Sequence, residues 1–235
     1  VSSHGSDGDA ASTALASLWN ELLPEGVVCS AGFVGPWAET TAAESAALGA
    51  VGTLRARQFA AGRSHAKAAL AKLGIARADL LRAPSGAPDW PPGVIGSIAH
   101  AELDGRVHAV AVAARSGKFA SIGVDLEAQR VLPVKDWHAL LTPAELRATQ
   151  ALAVDQRARA VMQRWCAKEA AAKASSQGRT DLRQLVVRGV PDDHAFGQFG
   201  GHFAVAGRGM AGAFATLGSW TGAFCAVLSE YGHQL

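Results

Sequence analysis

Gly123-Val124-Asp125-Leu126-Glu127 alternates apolar and acidic side chains, and Trp165-Cys166-Ala167-Lys168-Glu169-Ala170-Ala171-Ala172-Lys173 follows later in the chain. In a strand, residues i and i+2 point to one face. Asp125 and Glu127 therefore project together, while Ile122, Val124 and Leu126 face a core. In a helix, residues i and i+4 share a face, which puts Trp165, Glu169 and Lys173 on one stripe. Where such a helix crosses the end of such a strand, three carboxylates and a lysine meet. Hard cations such as Mg²⁺ are held by a few carboxylates together with substrate phosphate oxygens. The pattern thus points to metal-assisted transfer of a phosphate-bearing group. Each half alone is weak evidence. An isolated Asp-x-Glu is common on solvated strand edges, and Glu–Lys at i+4 is an ordinary helix pair worth about 0.2–0.5 kcal/mol.

The rest of the chain supplies a scaffold around these segments. Residues 12–23 place Leu15, Leu18, Trp19, Leu22 and Leu23 at helical spacing, and 27–34 reads as a strand. Residues 41–73 form a long helical stretch, two helices ended by Gly74. A Pro- and Gly-rich loop over 83–93 carries Trp90, and strands at 94–100 and 107–113 flank the turn Asp104-Gly105. After Ser116-Gly117-Lys118 the theme repeats, with a strand at 121–127 and helices near 134–141, 143–153 and 157–175. Strands near 185–188, 202–206, 215–220 and 223–229 close the chain, and Gly207-Arg208-Gly209 and Gly212 suit hairpin turns. The expected fold is α/β (α+β), each half a small, mostly antiparallel sheet packed with helices. The expected division is a disordered N-terminus at 1–11, an N-terminal half at 12–118 and a C-terminal half at 119–235.

Hydrophobic residues make up 49% of the 235 and charged residues 18%, as in an ordinary globular protein, and the formal net charge of +2 gives no reason to expect nucleic acid. Arg55, Arg57, Arg63, Lys67 and Lys72 crowd one expected helix. They make either a solvated face or a surface for phosphates and an acidic partner. Cys29, Cys166 and Cys225 are odd in number and lack C-x-x-C spacing, so reduced thiols in the cytoplasm are expected. No apolar stretch of about 20 residues is present to span a bilayer, and the first residues show no basic segment followed by an apolar one, so no signal segment is expected. Trp19, Trp37, Trp137 and Trp220 are expected in packing. His65, His108, His138, His194, His202 and His233 show no metal spacing.

Three more segments share a pattern with the two opening ones: Arg55-Ala56-Arg57-Gln58-Phe59-Ala60-Ala61-Gly62-Arg63, Gly86-Ala87-Pro88-Asp89-Trp90-Pro91 and Gly96-Ser97-Ile98-Ala99-His100. Together the five, in this order, resemble the motifs of the 4′-phosphopantetheinyl transferases, the type that activates enterobactin, surfactin and related synthases. The resemblance implies two pseudo-symmetric halves with the active site in the cleft between them. It also implies Mg²⁺-dependent transfer of the phosphopantetheine arm of coenzyme A to a serine of an acyl or peptidyl carrier protein, releasing 3′,5′-ADP.

On that resemblance, Asp125, Glu127 and Glu169 hold the metal and Lys173 neutralises the phosphate under attack. Arg55, Arg63 and His100 grip nucleotide phosphates, and Trp90, Ser97 and Lys168 join the coenzyme A site. Glu169 takes the proton from the carrier serine, directly or through water. Ser85 and Ala87 stand where relatives commonly carry a lysine, with Arg82 as the substitute, and Ala99 replaces a hydroxyl. The implied partner presents an acidic helix beside its serine, as carriers of polyketide and non-ribosomal peptide synthases in antibiotic biosynthesis do, and the implied state is a monomer. A metal-dependent phosphoester hydrolase and a non-catalytic carrier-binding relative are the alternatives.

Overall fold

The structure, a computed structural model, describes residues 6–35, 38, 40–76, 79–175, 181–190 and 192–229. Helix α1 (Ser6–Leu22) buries Leu15, Leu18, Trp19 and Leu22. It starts at Ser6, ahead of the expected residue 12. Residues 1–5, Trp37 and His233 lie outside the described residues.

Strand β1 (Val27–Phe33) leads to helices α2 (Ala42–Leu48) and α3 (Thr53–Lys72). Thr41 and Glu44 form a capping box at the start of α2. The Glu44 carboxylate, wholly buried, also accepts from Leu80 N at 3.0 Å and from Lys67 Nζ at 2.7 Å. One carboxylate thus ties α2, α3 and the approach to the Trp90 loop together. Strands β2 (Val94–Leu103) and β3 (Arg106–Arg115) make a hairpin. Its turn residues Asp104 (φ 52°) and Gly105 (φ 72°) both take the left-handed region that a tight two-residue turn needs.

The first sheet has the antiparallel order β1-β3-β2. The second begins with β4 (Phe119–Ala128). Helices α4 (Val134–Leu140), α5 (Pro143–Ala151) and α6 (Val154–Ala174) follow, then β5 (Val187–Val190), β6 (Gly200–Val205), β7 (Met210–Leu217) and β8 (Trp220–Leu228). Its order is β4-β8-β7-β6-β5, with antiparallel neighbours. The expected strand over 215–220 is two strand ends instead, because Gly218 (φ 56°) turns the chain and gives Trp220 to β8.

Three features position the site. One core runs through both sheets: Leu18 and Trp19 of α1, Val110 and Val112 of β3, and Val124 and Leu126 of β4 share a cluster. The edge strands β2 and β4 lie against each other, and the Val124 N–H donates to Ser97 Oγ at 3.1 Å. Helix α6 packs on the opposite face of the second sheet through Ala167, Ala170, Ala171 and Ala174. Its approach to β4 is close because position 123 is glycine: a Cβ there would stand 2.0 Å from the Ala170 carbonyl oxygen.

Candidate active site

A cavity of about 840 Å³ opens where β2, β4 and α6 meet. Arg55, Trp90 and His100 line it from the first half, and Asp125, Glu127, Trp165, Glu169 and Lys173 from the second. A side cavity of about 130 Å³ is bounded by Arg55, Arg63, Arg82, Gly86 and His100. The strand alternation and the helix stripe expected from the sequence therefore converge. Val124 and Leu126 are fully buried in the core, while Asp125 and Glu127 face α6 and the cavity.

On the acidic wall, Lys173 Nζ donates to Asp125 Oδ1 at 2.8 Å and to the Val124 carbonyl at 3.0 Å. Asp125 Oδ2 is buried with no hydrogen-bond partner. Burial raises the Asp125 carboxyl despite the pull of Lys173. Burial, and then the Asp125 charge, push Glu127 up to about 7 and raise Glu169 as well. Burial alone would lower Lys173, yet Asp125 and Glu169 together more than offset it and the ammonium stands above its ordinary value. Such a wall holds excess negative charge in a poorly solvated place, which is what a cation site requires.

The donor set is all oxygen and includes an orphaned buried carboxylate oxygen, which fits a hard divalent cation. Among the described residues, no three His, Cys, Asp or Glu side chains are gathered tightly enough to ligate one as they stand. Loading therefore needs side-chain movement, with Lys173 foremost because its ammonium holds Asp125.

On the opposite wall, Arg55 Nη1 lies 3.1 Å from His100 Nε2. A guanidinium can only donate, so Nε2 carries the lone pair and the imidazole is neutral. Burial, then the charges of Lys173 and Arg55, depress His100 to about 4. Trp90 lies where Gly96 makes room, since a Cβ on Gly96 would fall 2.5 Å from the indole. The Arg82 guanidinium lies over Gly86 at the rim of the side cavity.

Several expected residues have other tasks. Lys168 does not reach the cavity. Its side chain is fully buried behind α6, paired with Glu145 Oε2 at 2.6 Å and donating to the Leu140 and Leu182 carbonyls. A one-residue step turns about 100° around a helix, so Lys168 faces away from Glu169 and lies in line with buried Arg164. Arg63 borders the side cavity but commits Nε and Nη2 to the Leu80 and Leu81 carbonyls, at 2.6 and 3.1 Å. Ser97 lines the cavity while its hydroxyl serves the Val124 N–H. Of the cations on α3, Arg57, Lys67 and Lys72 bind Gly105 O, Glu44 and Cys29 O. That leaves Arg55 as the α3 cation lining the main cavity.

Arg130 went unnoticed in the sequence. It stands 3.9 Å from Glu127 and lies over the Trp165 ring at 5.1 Å, and its i+3 spacing from Glu127 was the available signal.

The fold is that of the 4′-phosphopantetheinyl transferase superfamily, to which the chain belongs. Residues 43–114 match the family's N-terminal domain, and residues 121–205 match the superfamily domain itself. Among similar proteins is 4′-phosphopantetheinyl transferase Npt of Nocardia iowensis, 37% identical over 124 residues, covering 51% of this chain and 51% of that one. The transferase Svp of Streptomyces mobaraensis is 41% identical over 80 residues, 34% of this chain and 30% of its own. PptT of Mycobacterium tuberculosis is 35% identical over 91 residues, 39% of this chain and 38% of its own. The chain thus spans about half the length of these relatives, or less.

Proposed function

We propose that this protein transfers the 4′-phosphopantetheine arm of coenzyme A to a serine of an apo acyl or peptidyl carrier protein, releasing 3′,5′-ADP with Mg²⁺ as cofactor. One observation carries the reading: Asp125, Glu127, Glu169 and Lys173 face Arg55 and His100 across a single cavity of about 840 Å³. A pyrophosphate-bearing substrate needs cations at its non-reacting phosphates and charge compensation at the reacting one. The cavity has the first on one wall and the second on the other. The half at 12–118 would supply the phosphate contacts and the half at 119–235 the acidic wall.

In the reaction the serine oxygen bonds to the phosphorus that carries the pantetheine arm, and the bond from that phosphorus to the bridging oxygen breaks. Electrons of the broken bond leave with 3′,5′-ADP, and the serine proton passes to Glu169. A carboxylate raised above its ordinary value is the better base for that transfer. Lys173 compensates charge on the phosphate under attack. Arg55 donates to phosphate oxygens, His100 does so through its second ring nitrogen, and Arg82 reaches the side cavity where relatives use a lysine. Trp90 supplies an apolar wall. Mg²⁺ held by the three carboxylates would add Lewis-acid charge at the pyrophosphate.

The partner is a carrier with an acidic helix beside its serine, from a polyketide or non-ribosomal peptide synthase. The enzyme works as a cytoplasmic monomer with three free thiols. Among the described residues, no helix is long and apolar enough to cross a membrane.

The test is intact-mass spectrometry of an apo carrier with coenzyme A and Mg²⁺. One added phosphopantetheine is expected, and none when EDTA is present during the reaction. Glu169→Gln should lower turnover roughly 10²–10⁴-fold with unchanged circular dichroism. Release of 3′,5′-ADP without a carrier would instead indicate a hydrolase.

A further inference from the structure

Lys173 places its ammonium among the carboxylates from which a divalent cation would draw ligands: 2.8 Å from Asp125 Oδ1 and 3.0 Å from the Val124 carbonyl. The other oxygen of Asp125, Oδ2, is buried without a hydrogen bond from any cation, and the neighbouring Cys166 thiol carries no charge to offset it. Arg130 serves Glu127 at 3.9 Å and stacks over Trp165, which leaves Asp125 to Lys173. We propose that Lys173 is an exchangeable internal counter-cation, holding Asp125 until a divalent cation takes it and then turning to the substrate phosphate. This deepens the transferase reading and rests on it.

The chemistry of the side chain suits the exchange. Lysine carries a compact charge on a flexible four-carbon stem, and the Lys173 side chain is 32% exposed, so its head can swing while α6 stays seated. Without it, Asp125, Glu127 and Glu169 would share one poorly solvated cavity with little compensation. With it, an incoming cation must break the Lys173–Asp125 contact, which lowers its affinity for the coenzyme-free protein. The released ammonium is then left without a counter-charge until a phosphate arrives. Cation and coenzyme therefore bind cooperatively, each strengthening the other by the same factor. Lys173 is the element that both ligands bias.

The experiment counts free Mn²⁺, as a stand-in for Mg²⁺, by electron paramagnetic resonance. Without coenzyme A, Lys173→Met should bind Mn²⁺ roughly 5- to 150-fold more tightly than the wild type, the usual span of such couplings. Adding coenzyme A should tighten Mn²⁺ binding more in the wild type than in the variant. Lys173→Gln, polar but uncharged, should behave as Lys173→Met does, so misfolding of one variant leaves the other to decide. Asp125→Asn should abolish binding in every background. If both Lys173 variants bind Mn²⁺ equally or more weakly than the wild type, and Asp125→Asn removes it, the counter-cation is overturned and the transferase reading stands. If the wild type binds no Mn²⁺ sensitive to Asp125 even with coenzyme A present, both are overturned.

Discussion

Alanine at position 123 would set a Cβ 2.0 Å from the Ala170 carbonyl oxygen and 2.6 Å from the Ala174 nitrogen. Both are backbone atoms of α6, so no rotamer change relieves the clash. Ordinary contact begins near 3.4 Å, and the helix must therefore retreat from β4 by about 1.4 Å. Overpacking of this kind costs about 1–3 kcal/mol, and contact with rigid backbone places it at the upper end. For a chain of this size that corresponds to a fall in Tm of roughly 4–12 °C. The functional effect should exceed the stability effect. Glu169 and Lys173 ride on α6 while Asp125 stays on β4, and a misplacement of about 1 Å can cost on the order of 10²-fold in rate.

The assay pairs thermal melting with carrier modification at a temperature where the variant remains folded. Gly35→Ala is the control, because nothing lies within 4 Å of its added Cβ. If Gly123→Ala melts with the wild type and retains turnover within a factor of about two, the close β4–α6 approach does not set the site's geometry.

Lys168→Met removes one partner of a buried pair whose ammonium lies 2.6 Å from Glu145. A loss of about 3–5 kcal/mol is expected in urea melts, with coenzyme A affinity of the folded protein unchanged by calorimetry. Weakened binding at unchanged stability would return Lys168 to the cavity. His100, ordinarily near 6.5, is held at about 4 in the fold. Between these values the unfolded chain binds the extra proton, so stability falls as pH drops through that window. The slope amounts to roughly 1–3 kcal/mol after allowance for partial exposure. Glu127, raised to about 7, adds stability as pH drops through the same window, with opposite sign. The His100 effect is therefore read as the difference between wild type and His100→Gln in urea melts at pH 7 and pH 5; equal pH dependence of the two would refute it.

The acidic wall was legible in the sequence because both of its elements are regular. Period 2 in β4 and an i+4 stripe in α6 fix which side chains share a face, whatever the neighbours do. The hairpin at Asp104-Gly105 was legible for a similar local reason, its turn geometry. The cationic wall was less so. Arg55 and Arg63 sit on one helix, yet a separation of two turns plus about 80° sends one to the cavity and the other to the Leu80 and Leu81 carbonyls. No spacing rule tells which carbonyls a distant segment will present. Lys168 was expected at the coenzyme A site on the family resemblance, and in the structure it lies buried against Glu145 instead. The Arg164–Lys168 stripe, together with Glu145 in a Thr-Pro-Ala-Glu capping box, was the signal for a buried pair.

The site also depends on contacts that no single segment encodes. Asp125 lies on a strand at the edge of one sheet, and His100 on a strand at the edge of the other. Their separation is set by how β2 and β4 meet, and a named polar contact across that seam is Val124 N–H to Ser97 Oγ. Ser97 therefore contributes to a cavity it lines chiefly by registering one wall against the other. Gly123 does the same for α6 by subtraction, since a missing side chain brings Glu169 and Lys173 down to Asp125. The chemistry is carried by charged groups whose types are plain in the sequence. Their distances are set by an uncharged serine and a glycine whose importance emerges only when the elements pack.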